Sequence, residues 1–363
     1  MPEIRPLQGL LCWCRAGFEP ELASELAERA AWAGRVGYPR TEREAGYVLF
    51  VADRDTPTGI PTEVPVAVAQ PHPVFARASL SLRAELTGLE PADRIAPLLA
   101  ALGPCGPELP RYGTLRVEHA DSPTGKPLSG LARAFGNALR PALRRAGWLT
   151  RADDIRMRGL HVALLDGDHL LLAESARGAE SPWPGGIPRL RMLPEAPSRS
   201  ALKLEEALLV LLSADERERW LKPGMRAADL GAAPGGWSWV LAREHLRVVA
   251  VDNGPLAASA LATGLIEHLR ADGFRWQPRE PLDWMVCDMV EQPRRVAARM
   301  AEWFHHGWCR RAIFNLKLPM KKRWDETRLC LDLFAAQAGT PLEIRARQLY
   351  HDREEITVYA GPR

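Results

Sequence analysis

The sequence contains few cysteines, and their spacing suits neither a zinc site nor a disulfide framework. The six cysteines are scattered along the chain, and no C-x-x-C pair occurs. The sequence also lacks an apolar run of membrane-spanning length, and its first residues lack a basic patch followed by a long apolar core. We therefore expect a cytoplasmic protein that has no membrane partner and no metal site.

Lysine is also scarce in this sequence. Of the 48 basic residues only six are lysines, namely Lys126, Lys203, Lys222, Lys317, Lys321 and Lys322. An arginine keeps its proton in a protein, whereas a lysine in suitable surroundings can lose it. A lysine close to a predicted site is therefore a candidate for proton transfer. The net charge of +3 gives only weak support for a polyanionic partner.

At 363 residues the chain is too long for one ordinary domain, so two or three are expected. In the first half we predict a β-α-β arrangement ending near Ala52. A second α+β module follows, with a long basic helix interrupted at Pro141 and a hairpin at Asp166. The segment 181–199 is rich in proline and glycine and is predicted to be a linker. From Ser200 onward strands and helices alternate, which predicts an α/β domain with a mostly parallel, doubly wound sheet and an antiparallel edge pair at its end.

A glycine-rich bend after the first strand of the last domain has neither of the usual phosphate-binding patterns. It reads DLGAAPGG from Asp229 to Gly236, with no Gly-Lys pair for a P-loop and with Ala233 at the second glycine position of a dinucleotide fingerprint. Its glycines still let the backbone approach a ligand beyond the carboxyl ends of the strands. S-adenosylmethionine, which has no phosphate, is the nucleoside ligand that remains. We therefore predict a site for this cofactor at the bend.

Three aspartates follow the bend at places where strands or loops end. Asp252 lies 23 residues beyond Asp229, near the spacing expected for ribose recognition. Asp272 is predicted to meet the adenine amine, and Asp288 ends the strand where the substrate-facing acid is expected. A single aspartate at a strand end often serves only to cap the next helix. Three of them after one such bend favour a ligand site.

The sequence lacks the signatures of amine and of pyrimidine-carbon methylation. The turn after the strand DWMVCD reads CDMVEQP rather than D-P-P-Y, and Cys287 lies within an apolar strand, which suits a buried thiol. An alcohol acceptor is left, and it requires a base. Lys203 and Lys317 can serve if burial or a neighbouring cation lowers the lysine pKa, and Glu355 can orient Lys317. A solvent-exposed lysine at a strand end and a helical Lys203–Glu206 pair are the alternatives.

Several segments together carry a resemblance to a known family. They are DLGAAPGGWS, PSRSALKLEEA, VDNGP, DGF, WMVCDMVE, IFNLKLPMKKRW and RQLYHDREEITV. The first resembles the opening motif of the FtsJ-like RNA 2'-O-methyltransferases. All of them together, with the N-terminal modules, resemble the RlmM family of bacterial 23S rRNA cytidine 2'-O-methyltransferases. The specific motifs run from Ser198 to Val358, and weaker similarity extends over essentially the entire chain.

The resemblance implies a K-D-K-E tetrad in which Lys317 is the base. The members of this tetrad are Lys203, Asp288, Lys317 and Glu355. It also implies a set of contacts with S-adenosylmethionine, namely Ser200, Gly231, Ala233, Pro234, Gly235, Gly236, Asp252, Asp272 and Asp288. Relatives can have a cysteine in place of Ala233, a difference of little weight because the backbone forms the turn.

The resemblance further implies four parts of the chain and an RNA partner. The parts are a ferredoxin-like module at 1–55, a THUMP-like RNA-binding module at 56–180, a linker at 181–199 and a Rossmann-like methyltransferase domain at 200–363. The implied substrate is 23S rRNA, as free RNA or as an assembly intermediate of the large subunit. Methylation of tRNA and a non-catalytic role in rRNA assembly are the alternatives. A monomer is expected.

Arginines crowd the long basic helix and the residues that follow it. They are Arg133, Arg140, Arg144, Arg145, Arg151, Arg156 and Arg158. Such a cluster suits a surface that follows RNA phosphates. A solvated helix face has the same composition, so the cluster alone does not decide between the two interpretations.

Overall fold

The computed structural model describes residues 2–53, 72–106 and 112–363. The chain divides into two compact units, Met1–Ile187 and Pro188–Arg363, and each is built on one seven-stranded sheet of described residues. The division falls inside the predicted linker 181–199. The predicted boundary at 55/56 lies outside the described residues, so the split of the first unit into two modules stays a prediction.

The first unit is a mixed α and β structure. Its described strands are β1 (Glu3–Cys14), β2 (Gly37–Thr41), β3 (Tyr47–Ala52), β4 (Ala76–Thr87), β5 (Thr114–His119), β6 (Gly159–Leu164) and β7 (Leu170–Ser175). Its described helices are α1 (Glu19–Trp32), α2 (Ile95–Leu102) and α3 (Ser129–Arg145), with 3-10 turns at Lys126–Leu128 and Pro184–Gly186. The sheet order is β2-β3-β1-β4-β7-β6-β5.

Strand β1 joins the two halves of this sheet. It pairs antiparallel with β3 on one side and with β4 on the other, so that Leu11 lies opposite both Leu49 and Leu80. All three leucines are buried in one cluster, which supplies hydrophobic stabilisation to both pairings. Strand β2 was not predicted from the sequence, because it is short and contains Pro39. A proline is tolerated there since β2 is at the edge of the sheet.

The predicted interruption of the basic helix at Pro141 is wrong, because α3 continues through this residue. Proline removes one helical hydrogen bond, which normally bends or ends a helix. Here Leu139 and Leu143 lie on either side of it, and both are fully buried in the core that the helix shares with β5 and β6. Burial of this apolar face therefore outweighs the cost of the missing hydrogen bond.

The second unit alternates strands and helices as predicted. Its strands are β8 (Arg226–Leu230), β9 (Arg247–Val251), β10 (Ile266–Leu269), β11 (Leu282–Cys287), β12 (Cys309–Lys317), β13 (Leu342–Arg347) and β14 (Glu355–Pro362). Its helices are α4 (Ala201–Leu211), α5 (Ala214–Trp220), α6 (Gly236–Arg243), α7 (Ala258–Leu261), α8 (Pro293–His305) and α9 (Arg323–Gln337).

The sheet of the second unit is mostly parallel and doubly wound, which confirms the predicted α/β fold. Its order is β10-β9-β8-β11-β12-β14-β13, and the first five strands in this order run parallel. The chain leaves β8 toward β9 and β10 and later returns to its other side with β11. The strand order therefore reverses at β8, and the carboxyl ends of β8 and β11 flank the place where such sheets bind ligands.

The two closing strands form the predicted antiparallel pair. Strand β14 pairs with β13 and also with β12, so that it lies inside the sheet and β13 forms the edge. Strand β10 was missed, since a helix was expected for that stretch. It is only four residues long and carries no clear alternation, and its pairing with β9 creates the strand.

Gly9 in the first sheet has no room for a side chain. It lies at an irregularity of the β1–β4 pairing with φ +142°, and an added Cβ would lie 1.8 Å from the carbonyl oxygen of Phe50. We expect Gly9→Ala to destabilise the first unit by on the order of 3 kcal/mol, because it adds both a clash and a strained backbone. Thermal unfolding followed by circular dichroism measures this loss.

Gly130→Ala is the matched control for this substitution. Gly130 lies in the first turn of α3, and nothing is within 4 Å of an added Cβ. Alanine is the better helix former by about 0.5 to 1 kcal/mol, so this variant should unfold at the same or a higher temperature than the parent. Equal unfolding temperatures for the two variants would contradict the expectation.

Candidate active site

The bend after β8 is shaped by glycines. Any other residue at these positions would force neighbouring atoms to move. Gly231 has φ +75°, and an added Cβ would lie 2.4 Å from Cγ of Met289. Gly235 has φ +106°, and an added Cβ would lie 2.8 Å from Cβ of Ala260. Gly236 begins α6, so the N–H groups of its first turn have no carbonyl partner within the helix, and that of Ser238 bonds to Asp229 instead. The bend therefore offers a tight cradle of backbone at the end of the sheet.

Ser200 connects the start of α4 to this bend. An added Cβ on Gly236 would lie 2.5 Å from the Ser200 hydroxyl oxygen, which is itself 2.6 Å from the hydroxyl of Ser198. The indole N–H of Trp237 donates to the backbone carbonyl of Ser200 at 3.0 Å. The predicted contact residue Ser200 is therefore next to the predicted bend.

Asp252 ties the bend to the loop that follows β9. Its Oδ2 accepts the backbone N–H of Ala233 at 3.0 Å, and its Oδ1 accepts the N–H of Gly254 at 2.7 Å. The Ala233–Pro234 peptide bond in this bend is cis. The carboxylate is only partly buried and lies beside the cradle.

Asp272 lies in a turn that packs against the same bend. An added Cβ on the neighbouring Gly273 would be 3.5 Å from the amide nitrogen of Gly231. One Asp272 oxygen accepts the N–H of Phe274 at 2.9 Å, so this aspartate does cap its own turn. Its side chain is half exposed, and its second oxygen lies 3.6 Å from Nε of Arg275. The structure therefore brings the predicted cofactor residues together beyond the carboxyl ends of the parallel strands.

The four residues of the predicted tetrad lie together at the carboxyl end of β11 and β12. Lys203 Nζ is 3.2 Å from Asp288 Oδ2, and Lys317 Nζ is 3.0 Å from Asp288 Oδ1. Both lysines also contact Glu355, each through a different carboxylate oxygen. The β12–β14 register sets this geometry, because it places Lys317 directly opposite Glu355. Two ammonium groups thus share two carboxylates, and the formal charges cancel.

The pKa of Lys317 differs from the expectation that it is lowered. Burial by itself lowers this pKa, but the negative charge of Asp288 and the hydrogen bond to Glu355 outweigh burial. The pKa of Lys317 therefore lies above its ordinary value. The sequence does not reveal this balance, because it depends on two carboxylates that contact the same ammonium group.

Glu206 does not pair with Lys203, which excludes the helical pair considered as an alternative. It is 2% exposed and accepts the backbone N–H groups of Tyr350 and His351 at 2.7 and 2.9 Å. The ring nitrogen Nδ1 of His351 lies 2.7 Å from the same carboxylate. Glu206 therefore fixes the loop before β14 and helps to position Glu355.

Sequence reasoning missed two polar residues that adjoin the tetrad. Asn315 Nδ2 donates to Asp288 Oδ1 at 2.9 Å, and Thr357 lies opposite Asn315 in the β12–β14 register. Both are fully buried. Each is two residues from a tetrad member on the same strand, and side chains two apart share a face of a sheet. That alternation was the signal that could have revealed them.

Asp229 is a buried acid behind the bend. It is 1% exposed and accepts the hydroxyl hydrogen of Ser238 at 2.7 Å. Burial raises the pKa of Asp229 to about 7, and the nearby charges of Asp288 and Asp252 add to the effect. Burial likewise raises the pKa of the Cys287 thiol to about 12. An inert thiol at this place agrees with its interpretation as a structural cysteine.

The arginine cluster of the first unit is partly neutralised by two aspartates that lie within the same stretch of sequence. Arg140 and Arg144 both contact Asp153, at 2.8 and 3.3 Å. Arg156 pairs with Asp154 at 2.9 Å. The surface is therefore less positive than a count of its arginines indicates.

Two features are absent from the described residues 2–53, 72–106 and 112–363. None of their helices is long and apolar enough to cross a membrane. No group of three or more histidine, cysteine, aspartate or glutamate side chains in them is arranged to hold a metal ion.

Comparison with known proteins gives three family models in chain order. The RlmM ferredoxin-like domain matches residues 7–77, the N-terminal region of ribosomal RNA large subunit methyltransferase M matches 93–176, and the FtsJ-like methyltransferase matches 196–299. The last model spans the bend, Asp252, Asp272 and Asp288. The fold and the site thus define a methyltransferase of the S-adenosylmethionine-dependent type.

Whole-chain relatives narrow this class. The chain is 64% identical over 354 residues to ribosomal RNA large subunit methyltransferase M of Xanthomonas campestris pv. campestris (strain B100), covering 98% of this chain and 99% of the relative. It is 63% identical to the protein of the same name from Stenotrophomonas maltophilia (strain R551-3), covering 98% and 97%. The chain belongs to the ribosomal RNA large subunit methyltransferase M family.

Among solved structures, TrmN from Thermus thermophilus is similar at 23% identity and a TM-score of 0.34, covering 97% of this chain and 98% of that one. A TM-score this low supports no functional comparison.

The raised pKa of Asp229 generates a prediction about stability. The folded protein favours the protonated carboxyl, so its contribution to stability is complete below the ordinary pKa of 3.8 and is lost as the pH rises toward 7. Asp229→Asn keeps an acceptor for Ser238 and cannot ionise. We expect this variant to unfold at a higher temperature than the parent at pH 8 and at a similar temperature at pH 4, with about 1.4 kcal/mol for each unit of pKa difference.

Thermal unfolding of parent and variant at several pH values between 4 and 8 measures this dependence. Asp215→Asn, which changes an exposed aspartate in the first turn of α5, is the control and should show no such growth of the difference. A stabilisation by Asp229→Asn that is the same at every pH would mean that ionisation of Asp229 is not its cause.

Proposed function

We propose that this protein methylates the ribose 2'-hydroxyl of a cytidine in 23S rRNA with S-adenosylmethionine as methyl donor. The observation that supports the proposal most is the cluster of two lysines and two carboxylates beside the glycine-rich bend. The names of the whole-chain relatives support RNA of the large ribosomal subunit as the substrate. The 2'-oxygen and the cytidine follow from the resemblance of the sequence motifs.

The residues around the bend fit the cofactor. The backbone cradle from Gly231 to Gly236 suits a ligand that is bound without phosphate contacts, and Asp252 and Asp272 provide carboxylates for the ribose and the adenine. Ser200 lies at the start of α4 beside the cradle. When bound there, S-adenosylmethionine supplies an activated methyl group on a positively charged sulfonium.

Lys317 is the residue proposed to take the proton of the ribose hydroxyl. Its Nζ lies at the carboxyl end of β12, and about a quarter of its side chain is exposed. Asp288 and Glu355 form ion pairs with this ammonium group. Lys203 neutralises the second charge of this carboxylate pair. Because the pKa of Lys317 is raised, most of this lysine is protonated at neutral pH. The rate of methyl transfer should therefore increase as the pH rises and neutral Lys317 becomes more abundant.

RNA is proposed to approach over the loop that follows β12. Lys321 and Lys322 are exposed in this loop and lie four and five residues beyond Lys317. Arg323 contacts Glu354, the neighbour of Glu355. These charges are placed to hold phosphates close to the reacting hydroxyl. We propose free 23S rRNA or an assembly intermediate as the bound form, and a monomer as the active species.

Mapping of the modified nucleotide tests the substrate. Ribosomal RNA and tRNA from cells with and without the protein are compared by protection from alkaline hydrolysis, because a 2'-O-methyl group blocks cleavage at its nucleotide. We expect one protected cytidine of 23S rRNA to become sensitive when the protein is absent. Purified protein, tritiated cofactor and either naked 23S rRNA or assembly intermediates then distinguish the bound forms.

Each other result contradicts the proposal in a specific way. Loss of protection in tRNA alone would make the protein a tRNA methyltransferase. Unchanged protection in both RNA classes, with defective large subunits, would favour an assembly factor without catalysis. Both results can be interpreted whichever nucleobase the methylated nucleotide carries.

Substitution of Lys317 tests its role as base. Lys317→Ala should lower the rate of methyl transfer by about two to four orders of magnitude while cofactor binding stays nearly intact. Lys317→Arg keeps a positive charge but cannot lose its proton, so it should be as inactive as the alanine variant. Single-turnover methyl transfer measured from pH 6.5 to 9.5 should show a rate that increases with pH for the parent and no such dependence for either variant.

Lys222→Ala is the control for these variants. Lys222 is an exposed lysine in the loop before β8, at the opposite end of the sheet from the tetrad. It should match the parent in rate and in pH dependence. Activity of Lys317→Arg close to that of the parent would show that Lys317 supplies charge rather than accepting a proton.

A further inference from the structure

A line of buried polar side chains runs from the tetrad into the sheet. Asn315 Nδ2 donates to Asp288 Oδ1 at 2.9 Å, and Asn315 Oδ1 is 2.8 Å from Thr357 Oγ1. The same threonine oxygen lies 3.1 and 3.0 Å from the two carboxyl oxygens of Asp352. Asn315 and Thr357 are fully buried, and Asp352 is 1% exposed. None of these three residues has a role in the function proposed so far.

The number of available hydrogens determines the direction of these bonds. Asp288 accepts hydrogen bonds from both lysines as a carboxylate, so the amide N–H of Asn315 must face Asp288 and its carbonyl oxygen must face Thr357. A threonine hydroxyl has one hydrogen, and Asn315 Oδ1 has none, so Thr357 must donate to Asn315. The contact between Thr357 and Asp352 then requires a hydrogen on Asp352. A charged Asp352 would leave two acceptors facing each other.

The surroundings of Asp352 favour its neutral form. Its Oδ2 accepts the backbone N–H of Leu349 at 2.9 Å. Burial, followed by the negative charge of Glu355, raises the pKa of Asp352 well above its usual range. The charged and titratable groups around this line of side chains are Lys203, Glu206, Asp229, Cys287, Asp288, Lys317, His351 and Glu355. Four of them are carboxyl groups in addition to Asp352, which makes a further buried negative charge costly.

We propose that Asp352, Thr357 and Asn315 are positioning residues that act on the base through Asp288. Neutral Asp352 donates to Thr357, Thr357 donates to Asn315, and Asn315 donates to the Asp288 oxygen that also accepts from Lys317. This proposal deepens the function proposed above and rests on Lys317 as the base. The established family assignment does not depend on it.

The effect of this hydrogen-bond chain follows from its last bond. A hydrogen bond donated to a carboxylate stabilises its charge and weakens its attraction for a neighbouring cation. With Asn315 held in place, Asp288 competes less for the ammonium hydrogens of Lys317, and the proton leaves Lys317 at a lower pH. These hydrogen bonds favour loss of the Lys317 proton without adding a charge, because Asp352, Thr357 and Asn315 are all neutral.

Thr357→Val is the variant that interrupts this series of hydrogen bonds at its centre. Valine has the shape of threonine and no hydroxyl, so Asn315 Oδ1 loses its donor and Asn315 is no longer held toward Asp288. We expect the rise of single-turnover rate with pH to move to higher pH by about one unit, which is a loss of about tenfold at neutral pH. Cofactor affinity and KM for RNA should change by less than about twofold. Thr357→Ser retains the hydroxyl and should behave as the parent does.

Asp352→Asn tests whether the carboxyl group is neutral. Its amide N–H can donate to Thr357 and its oxygen can accept from Leu349, so it should reproduce the pH dependence of the parent. Infrared difference spectra of parent minus Asp352→Asn at pH 8 should show the carbonyl stretch of a protonated carboxyl group. This measurement needs no substrate and remains informative if Thr357→Val proves too unstable to assay.

The outcomes distinguish this proposal from the function on which it rests. A parent enzyme whose rate does not rise with pH contradicts Lys317 as the base. A normal rise in the parent that is unchanged in Thr357→Val, or a Thr357→Val rate that is lower by the same factor at every pH, overturns the positioning role alone. A carboxylate band in the infrared difference spectrum, or a shifted pH dependence for Asp352→Asn, overturns the neutral form of Asp352.

Discussion

The antiparallel pairing of β12 with β14 is the constraint on which the geometry of the candidate active site depends. It places Lys317 opposite Glu355 and Asn315 opposite Thr357, while the parallel pairing of β11 with β12 brings Asp288 alongside. A slip of one residue in this register would turn these side chains to the other face of the sheet. The buried strands on both sides of β12 prevent such a slip, because their apolar residues would then be displaced as well.

The tetrad also explains why lysines occur here in a chain that otherwise uses arginine. Each ammonium group contacts both carboxylates, and four charges balance at a site that is largely removed from water. Removal of one member would leave an unbalanced buried charge, which costs far more than a surface ion pair contributes. Arginine could balance the charge but could not accept a proton. The proposed proton transfer therefore requires lysine rather than arginine at the position of the base.

Much of the second unit was predictable from the sequence, because it depends on local signals. The alternation of strands and helices, the glycine-rich bend and the acids that follow it are all visible in short segments. The tetrad members were found through lysine scarcity and family motifs. The contact between Asn315 and Thr357 was missed because it depends on a register between strands that are about forty residues apart in sequence. Asp352 was missed because only its contact with Thr357 connects it to these residues. The raised pKa of Lys317 was missed because two carboxylates act on it together.

The first unit was less predictable, for a different reason. Pro141 and Pro39 are strong local signals against a helix interior and a strand, yet the structure tolerates one through buried neighbours and the other through its edge position. Asp153 and Asp154 lie between Arg151 and Arg156, and their pairing with the arginine cluster depends on how the chain turns after α3. In each case tertiary packing outweighs the local preference.

The position of β1 in its sheet has a consequence for synthesis of the chain. Its partner β3 is translated soon afterwards, but β4 lies about seventy residues downstream, as Leu11 and Leu80 show. Chains are made from the N-terminus and fold as complete units become available. While the ribosome is still translating the residues between these strands, one edge of β1 has no partner, and the apolar cluster around Leu11 is open on one side. The first fifty residues therefore do not complete their fold until β4 has left the ribosome that makes them.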